Sequence, residues 1–128
     1  MADRILVLDD EESILFAVME YFTKCGYDVD CAKEIDEALA LLNTARYSVA
    51  IVDLRLAGVD GEEGLEFIEN LRERHPETRA ILLTAYGSPE IEKEALGRGV
   101  DVLLHKPKPL QDMARIVADL LADRTENQ

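Results

Sequence analysis

Short runs dense in Val, Ile and Leu alternate five times with longer stretches whose apolar residues return every third or fourth position. The runs Arg4 to Leu8, Val29 to Ala32, Val49 to Val52, Ala80 to Leu83 and Val102 to Leu104 are too continuously apolar for half-exposed antiparallel strands. They predict buried strands. Ile14, Leu15, Val18 and Phe22 recur at helical spacing, as do Ile35, Ala38, Leu39 and Leu42, and Leu110, Met113, Val117, Leu120 and Leu121. This alternation predicts an α/β fold, a parallel sheet with helices on both faces.

Punctuation divides the chain in the same places. Gly26 is the expected C-terminal cap of the first helix, Ser88 and Pro89 the N-cap and first position of the fourth, and Pro109 the opening of the fifth. There is no repeat, low-complexity tract or linker. The fourth helix, around Pro89 to Arg98, offers only Ile91, Ala95 and Leu96 as an apolar face and is followed by Gly97 and Gly99. Poor burial predicts a loosely held, movable element.

A chain of 128 residues with 48% hydrophobic content is the size of one domain with a real core. Its formal net charge of -13, from 27 acids against 14 bases, argues against direct nucleic-acid binding, which depends on basic groups neutralising phosphates. Most of the acids are spread along the chain and read as solvated surface. Cys25 and Cys31 lack the number and spacing of a disulfide framework or zinc site and read as two reduced, largely buried thiols. No window approaches the roughly 18 consecutive apolar residues of a membrane span, and the N-terminus lacks a signal-peptide layout. No membrane association and a cytoplasmic location are expected.

The acids that ask for chemistry are clustered. In "ILVLDDEE" four aliphatic residues run into four acids, a costly arrangement unless something positive sits there. In an open parallel sheet, ligands bind beyond the carboxyl ends of the strands. Those ends carry Asp9 and Asp10 after the first strand, Asp53 after the third, Thr84 after the fourth and Lys106 after the fifth. Singly, each has an ordinary reading: a helix cap for Asp9 or Asp10, a turn for Asp53, a cap for Thr84, a solvated charge for Lys106. Together they occupy the one place on each segment where the fold would assemble them.

On these residues the chain resembles the receiver domain of two-component response regulators, the chemotaxis-regulator type. The likeness runs from "ILVLDDEES" through "VAIVDLRLAGVDG" and "AILLTAYG" to "LLHKPKPL" and makes residues 1–128 a single receiver domain. It implies a flavodoxin-like (CheY-like) doubly wound sheet of five parallel strands, order 2-1-3-4-5, flanked by five helices. It further implies Mg²⁺ held by Asp10 and Asp53 directly, by Asp9 through water, and by the backbone carbonyl of Arg55. Asp53 is then the phosphorylated nucleophile, receiving its group from the histidine of a sensor kinase or phosphotransfer protein. Lys106 clamps the phosphoryl oxygens, Thr84 donates its hydroxyl to one, and a cis peptide bond precedes Pro107. In this reading the chain is a signalling switch, an enzyme only toward its own phosphoryl group, and its fourth helix, fifth strand and fifth helix bind a downstream effector. The resemblance also allows a homodimer through the fourth and fifth helices, for which the apolar surface of the fourth is sparse.

The chain departs from the family pattern in places. Ala57 stands where a proline is common, and "GVDGEEGLEF" carries a few extra residues before the third helix, which puts the Arg55 carbonyl in question. Arg55 and Tyr86 lie two residues beyond Asp53 and Thr84, where they shield the acyl phosphate from water or point into solvent. Leu103 replaces the tyrosine or phenylalanine that in this family turns inward three residues before the lysine. Output coupling then uses other groups, with Tyr86 and the fourth helix as candidates, or phosphorylation changes little structure. His105 reads as a surface residue.

The competing function is a phosphorylation-independent interaction module, favoured by Leu103 and disfavoured by an intact Asp53, Thr84 and Lys106. A phosphatase of the haloacid dehalogenase type wants two aspartates separated by one residue, whereas Asp9 and Asp10 are adjacent. A flavin or nucleotide binder needs a Gly, Ser or Thr rich loop where "DDEES" stands. The terminal "DRTENQ" is too short for an output domain, so the chain is either a stand-alone regulator or a receiver cut from a longer one.

Overall fold

A computed structural model describes residues 3–53, 62–84, 89–106 and 108–126. Strands and helices alternate as β1 (Arg4–Leu8), α1 (Glu12–Lys24), β2 (Asp28–Ala32), α2 (Ile35–Thr44), β3 (Val49–Asp53), α3 (Glu62–Arg74), β4 (Arg79–Thr84), α4 (Pro89–Gly97), β5 (Val102–His105) and α5 (Leu110–Glu126). The strands form one parallel sheet in the order 2-1-3-4-5. The expected architecture is therefore the observed one, with strand limits within one residue of those read from the hydrophobic runs.

Strand periodicity explains why so continuous a hydrophobicity is needed. Successive side chains point to opposite faces, and both faces of β1, β3 and β4 are covered. Leu6, Leu8, Ala50, Val52, Ala80 and Leu82 meet Ala38, Leu42, Ile68 and Leu71 of α2 and α3. Ile5, Val7, Val49, Ile51, Ile81 and Leu83 meet Leu15, Val18 and Phe22 of α1 and Met113 and Val117 of α5. The two edge strands correct the expectation of full burial. Asp28 of β2 and His105 of β5 are exposed, and Val29, Cys31, Val102 and Leu103 are only half-buried, because each edge strand has a neighbour on one side alone.

Two helices end in the same device. At the end of α1, Gly26 has φ +102, its amide donates to Thr23 (3.0 Å), and the amide of Tyr27 donates to Phe22 (3.1 Å). At the end of α4, Gly99 has φ +111 and Val100 donates to Ala95 (3.2 Å). This is the Schellman arrangement, whose left-handed residue favours glycine. Gly26 thus stands one residue beyond the cap, Cys25. Pro109 precedes α5 and accepts the amides of Asp112 and Met113 through its carbonyl, so it is the cap residue and Leu110 the first helical one. Ser88 lies outside the described residues.

Two further expectations are corrected. Cys25 is exposed, because a cap residue projects beyond the packed stripe of α1, and Cys31 is half-buried on the edge strand; both are free thiols. Leu96 is 55% exposed rather than part of the apolar face of α4, which buries only Ala95 fully and Ile91 in part. Among the described residues, no helix is long and apolar enough to cross a membrane.

The amino end of the sheet is locked by polar contacts. Asp101, between α4 and β5, accepts from Arg72 of α3 (2.8 Å), from Arg79 of β4 (3.3 Å) and from the amide of Ala80 (2.7 Å). Tyr47 donates to Asp30 (2.7 Å), and the buried Thr78 hydroxyl donates to the Tyr47 carbonyl (2.7 Å). These contacts leave the carboxyl end of the sheet as the place where polar groups converge without being absorbed by the scaffold.

Candidate functional site

Strand order reverses between β1 and β3, since β1 leads to β2 on one side and pairs with β3 on the other. Asp9 and Asp10 follow β1 and Asp53 ends β3, so the switch in order brings the three carboxylates to one crevice. One oxygen from each lies within 4.8 Å of the others. Asp53 is 0% exposed and Asp9 is buried, while Asp10 faces solvent.

Local hydrogen bonds fix the two buried acids. The Asp9 amide donates to Ala32 at the end of β2 (3.0 Å), and its Oδ1 accepts the Glu11 amide (3.0 Å), which turns the chain into α1. That leaves Oδ2 of Asp9 facing Nζ of Lys106 at 3.4 Å. The same Nζ stands 3.1 Å from Oδ2 of Asp53. Lys106 follows β5, and its amide donates to the Thr84 carbonyl (2.8 Å), so the residue whose ammonium reaches the crevice adjoins the end of β4, where Thr84 is buried.

Electrostatics follow from this crowding. Burial is the main cause that raises the Asp9 carboxyl above the usual carboxylate range; the Asp53 charge adds to it, while the Glu11 amide and the Lys106 ammonium work against it. Lys106 therefore serves both buried acids, Asp9 and Asp53, while Asp10 faces solvent. The donor set suits a further hard cation: three carboxylates from two strand ends offer oxygen ligands only, the preference of Mg²⁺ or Ca²⁺ rather than of softer metals.

The structure thus brings together Asp9, Asp10, Asp53 and Lys106, and sets Thr84 at the end of the neighbouring strand, its carbonyl on the Lys106 amide. Leu103 is half-buried and packs against the core on the side of α2, α3 and α4, paired with Leu82 across the sheet. His105 is exposed, as expected, but is not isolated: its Nε2 lies 2.7 Å from Oε1 of Glu92 on α4. Expectations for Arg55, Ala57, Tyr86, the loop around Gly58 to Gly61 and the bond before Pro107 fall outside the described residues.

Sequence reasoning missed what surrounds the crevice. Lys33, after β2, pairs with Glu12 at the start of α1; the pairing lowers the Glu12 carboxyl and raises the Lys33 ammonium from their ordinary values. Lys33 and Asp10 border a cavity of about 730 Å³ between α2 and α3, with Ile35, Leu39, Phe67 and Asn70 among its walls. On the opposite side, a cavity of about 310 Å³ between α1 and α5 is lined by Ile14, Val18, Leu83, Lys106, Leu110 and Met113. Phe16, on α1, is 62% exposed. Its position one turn from Glu12 carried no sequence signal, because an exposed ring breaks the amphipathic pattern without announcing a role.

Comparison with known proteins agrees with this geometry. Residues 5–118 match the family model described as response regulator receiver domain. The photosynthetic apparatus regulatory protein RegA of Rhodobacter capsulatus is 33% identical over 85% of the chain and 58% of its own length, so the chain spans a little over half of that relative. A receiver domain protein (CheY-like) from Methanospirillum hungatei superposes with a TM-score of 0.91, at 26% identity over 100% of both chains. A response regulator from Burkholderia pseudomallei, solved with a phosphorylated aspartic acid, a calcium ion and citrate, superposes with a TM-score of 0.80, at 27% identity over 98% of this chain and 75% of that one. The crevice at the switch in strand order is therefore that of a known fold and family, and the chain belongs to the response regulator receiver domains of two-component systems.

Proposed function

We propose that Asp53 accepts a phosphoryl group from a histidine of a partner kinase or phosphotransfer protein, in a reaction that needs Mg²⁺, and that the modified protein binds a downstream effector differently. The observation that carries this reading is the placement of Lys106, 3.1 Å from Asp53 and 3.4 Å from Asp9, beside carboxylates within 4.8 Å of one another. An oxygen of Asp53 forms the new P–O bond as the P–N bond of the donor breaks, and the imidazole leaves. The reaction asks for positioning and charge stabilisation more than for proton chemistry. Lys106 meets the phosphoryl oxygens as they arrive, and Thr84 donates its hydroxyl to one of them.

Asp9, Asp10 and Asp53 hold the cation, with the Arg55 carbonyl as a further ligand, and the bound ion offsets the negative charge that donor and pocket share. The calcium ion and phosphorylated aspartic acid of the Burkholderia pseudomallei regulator support both parts of this reading. The exposed Phe16 and the cavity between α1 and α5 support a protein as the donor. In this proposal the chain acts as one receiver domain in the cytoplasm and catalyses only the gain and loss of its own phosphoryl group. It presents α4, β5 and α5 to its effector or to a second copy, and binds no nucleic acid itself. Arg55 and Tyr86 set the phosphoryl lifetime. Leu103 is the one observation on the side of a phosphorylation-independent module, and the assembled set of Asp53, Thr84 and Lys106 outweighs it.

Intact mass after incubation with acetyl phosphate tests the proposal. Native protein gains one phosphoryl group with Mg²⁺ and none in chelator, and Asp53→Asn gains none. A gain that persists without the metal or without Asp53 rejects it.

A further inference from the structure

The helix beside the crevice is held in an unusual way. α4 buries Ala95 fully and Ile91 in part, and turns Leu96 to solvent. Toward solvent, a groove of about 490 Å³ separates the polar face of α3 from the end of α4 at Gly97 and Arg98. Beyond this narrow apolar contact, ion pairs tie α4 to its neighbours. Arg98, just past its end, reaches Glu69 on α3 (3.2 Å) and Glu94 on α4 itself (2.6 Å), and Glu92 reaches His105 on β5 (2.7 Å).

The partner of Glu92 is the informative one. His105 is paired with Thr84 across β4 and β5, and the next amide, that of Lys106, donates to the Thr84 carbonyl. The imidazole that meets α4 therefore stands on the strand ends that carry the two groups facing the phosphoryl group. Leu103, two residues earlier, packs into the core under α4 and has no ring to turn. The β4–β5 pairing is thus a path by which a displacement of Thr84 would reach His105 and its contact with Glu92.

We propose that Glu92 and His105 form a latch that holds α4 on the sheet edge and couples it to the phosphoacceptor pocket, His105 being a positioning residue that acts through Thr84 and Glu92. The coupling rests on the proposed phosphorylation of Asp53; the latch does not. Because the pair is partly exposed, its loss changes local opening modestly, by about two- to fivefold, the range of surface ion pairs. Ala95, Ile91 and the pair of Arg98 with Glu69 are the other ties that oppose that change.

Hydrogen exchange of peptides covering residues 89–98 tests this on the intact chain, with native protein, Glu92→Gln, His105→Gln and the double variant. Before any phosphodonor is added, each single variant exchanges about two- to fivefold faster than native protein in α4, and the double variant no faster than either. β1 and β3 are unchanged. After acetyl phosphate and Mg²⁺, native α4 rises toward the level of the variants, while Glu92→Gln takes up the phosphoryl group as native protein does yet shows little further rise. Equal exchange in native and variant proteins, or single effects that multiply in the double variant, overturns the latch. A rise on phosphorylation as large in Glu92→Gln as in native protein overturns the coupling. Failure of native protein to take up a phosphoryl group overturns the reading of the pocket and the coupling with it, and the unmodified arm still decides the latch.

Discussion

Nζ of Lys106 lies 3.1 Å from Oδ2 of Asp53, a carboxylate with no exposure to solvent, and 3.4 Å from Oδ2 of Asp9. One ammonium thus links the ends of β1, β3 and β5, elements 97 residues apart in sequence at their extremes. Substituting it removes a cation from between two buried acids and leaves their charges facing each other. Lys106→Met loses about 1–3 kcal/mol of stability at neutral pH in chelator, the cost of leaving buried acceptors without their donor. Part of that loss returns in Mg²⁺ or at acid pH, when the carboxylates are screened or protonated. Its rate of phosphoryl uptake falls by about 10²-fold, the scale of losing one charged donor. Denaturant titration with and without metal, beside timed intact mass, checks both.

Asp9 is the group whose pKa decides the sign of a second effect. Its folded-state carboxyl is raised, chiefly by burial, so the folded protein binds that proton more tightly than the unfolded chain. The stabilisation is complete below the unfolded value and is lost as pH rises through the folded one. At neutral pH, without metal, ionised Asp9 is therefore a cost. Asp9→Asn keeps the oxygen that accepts the Glu11 amide and removes the charge. It raises the melting temperature in chelator and loses the stabilisation that native protein shows on adding Mg²⁺. A melting temperature below native in chelator contradicts this.

Asp101 separates scaffold from site. It satisfies two arginines and the Ala80 amide at the far end of the sheet, so Asp101→Ala leaves those donors without their acceptor. The expected loss is about 2–4 kcal/mol, with phosphoryl uptake unchanged while the protein remains folded. Urea midpoints and uptake rates on the same preparation read both.

Gly97 and Gly99 differ although only two residues apart. A Cβ at Gly97 meets nothing within 4 Å, so Gly97→Ala stabilises α4 by about 0.5–1 kcal/mol through helix propensity. Gly99 has φ +111, and a Cβ there lies 3.1 Å from the Arg72 side chain. Gly99→Val costs about 1–3 kcal/mol. Opposite shifts in thermal midpoint are the expected result.

These contrasts show what the sequence could and could not convey. β1, β3 and β4 were legible because burial on both faces forces an unbroken apolar run, and the site was legible because parallel strands place their carboxyl ends together. The partial exposure of β2 and β5 is not legible, because a short aliphatic run does not reveal whether its strand has one neighbour or two. Leu96 was misplaced because a nine-residue helix samples too few turns for Ile91, Ala95 and Leu96 to define one face. Cys25 was misplaced because its spacing says nothing of the cap it occupies. The ties from Asp101 to Arg72 and from Glu92 to His105 join residues distant in sequence, and no local pattern encodes which opposite charges meet.

In the proposed reaction Asp53, clamped by Lys106 and a divalent cation, takes a phosphoryl group from nitrogen. Phosphoramidate carries the same P–N bond as a phosphohistidine, so the decisive measurement is peptide mapping by mass after incubating native protein with it in Mg²⁺. The expected result is one phosphoryl group, on the peptide that contains Asp53, and none in chelator. A phosphoryl group on any other peptide, or none at all on a protein that remains folded, contradicts it.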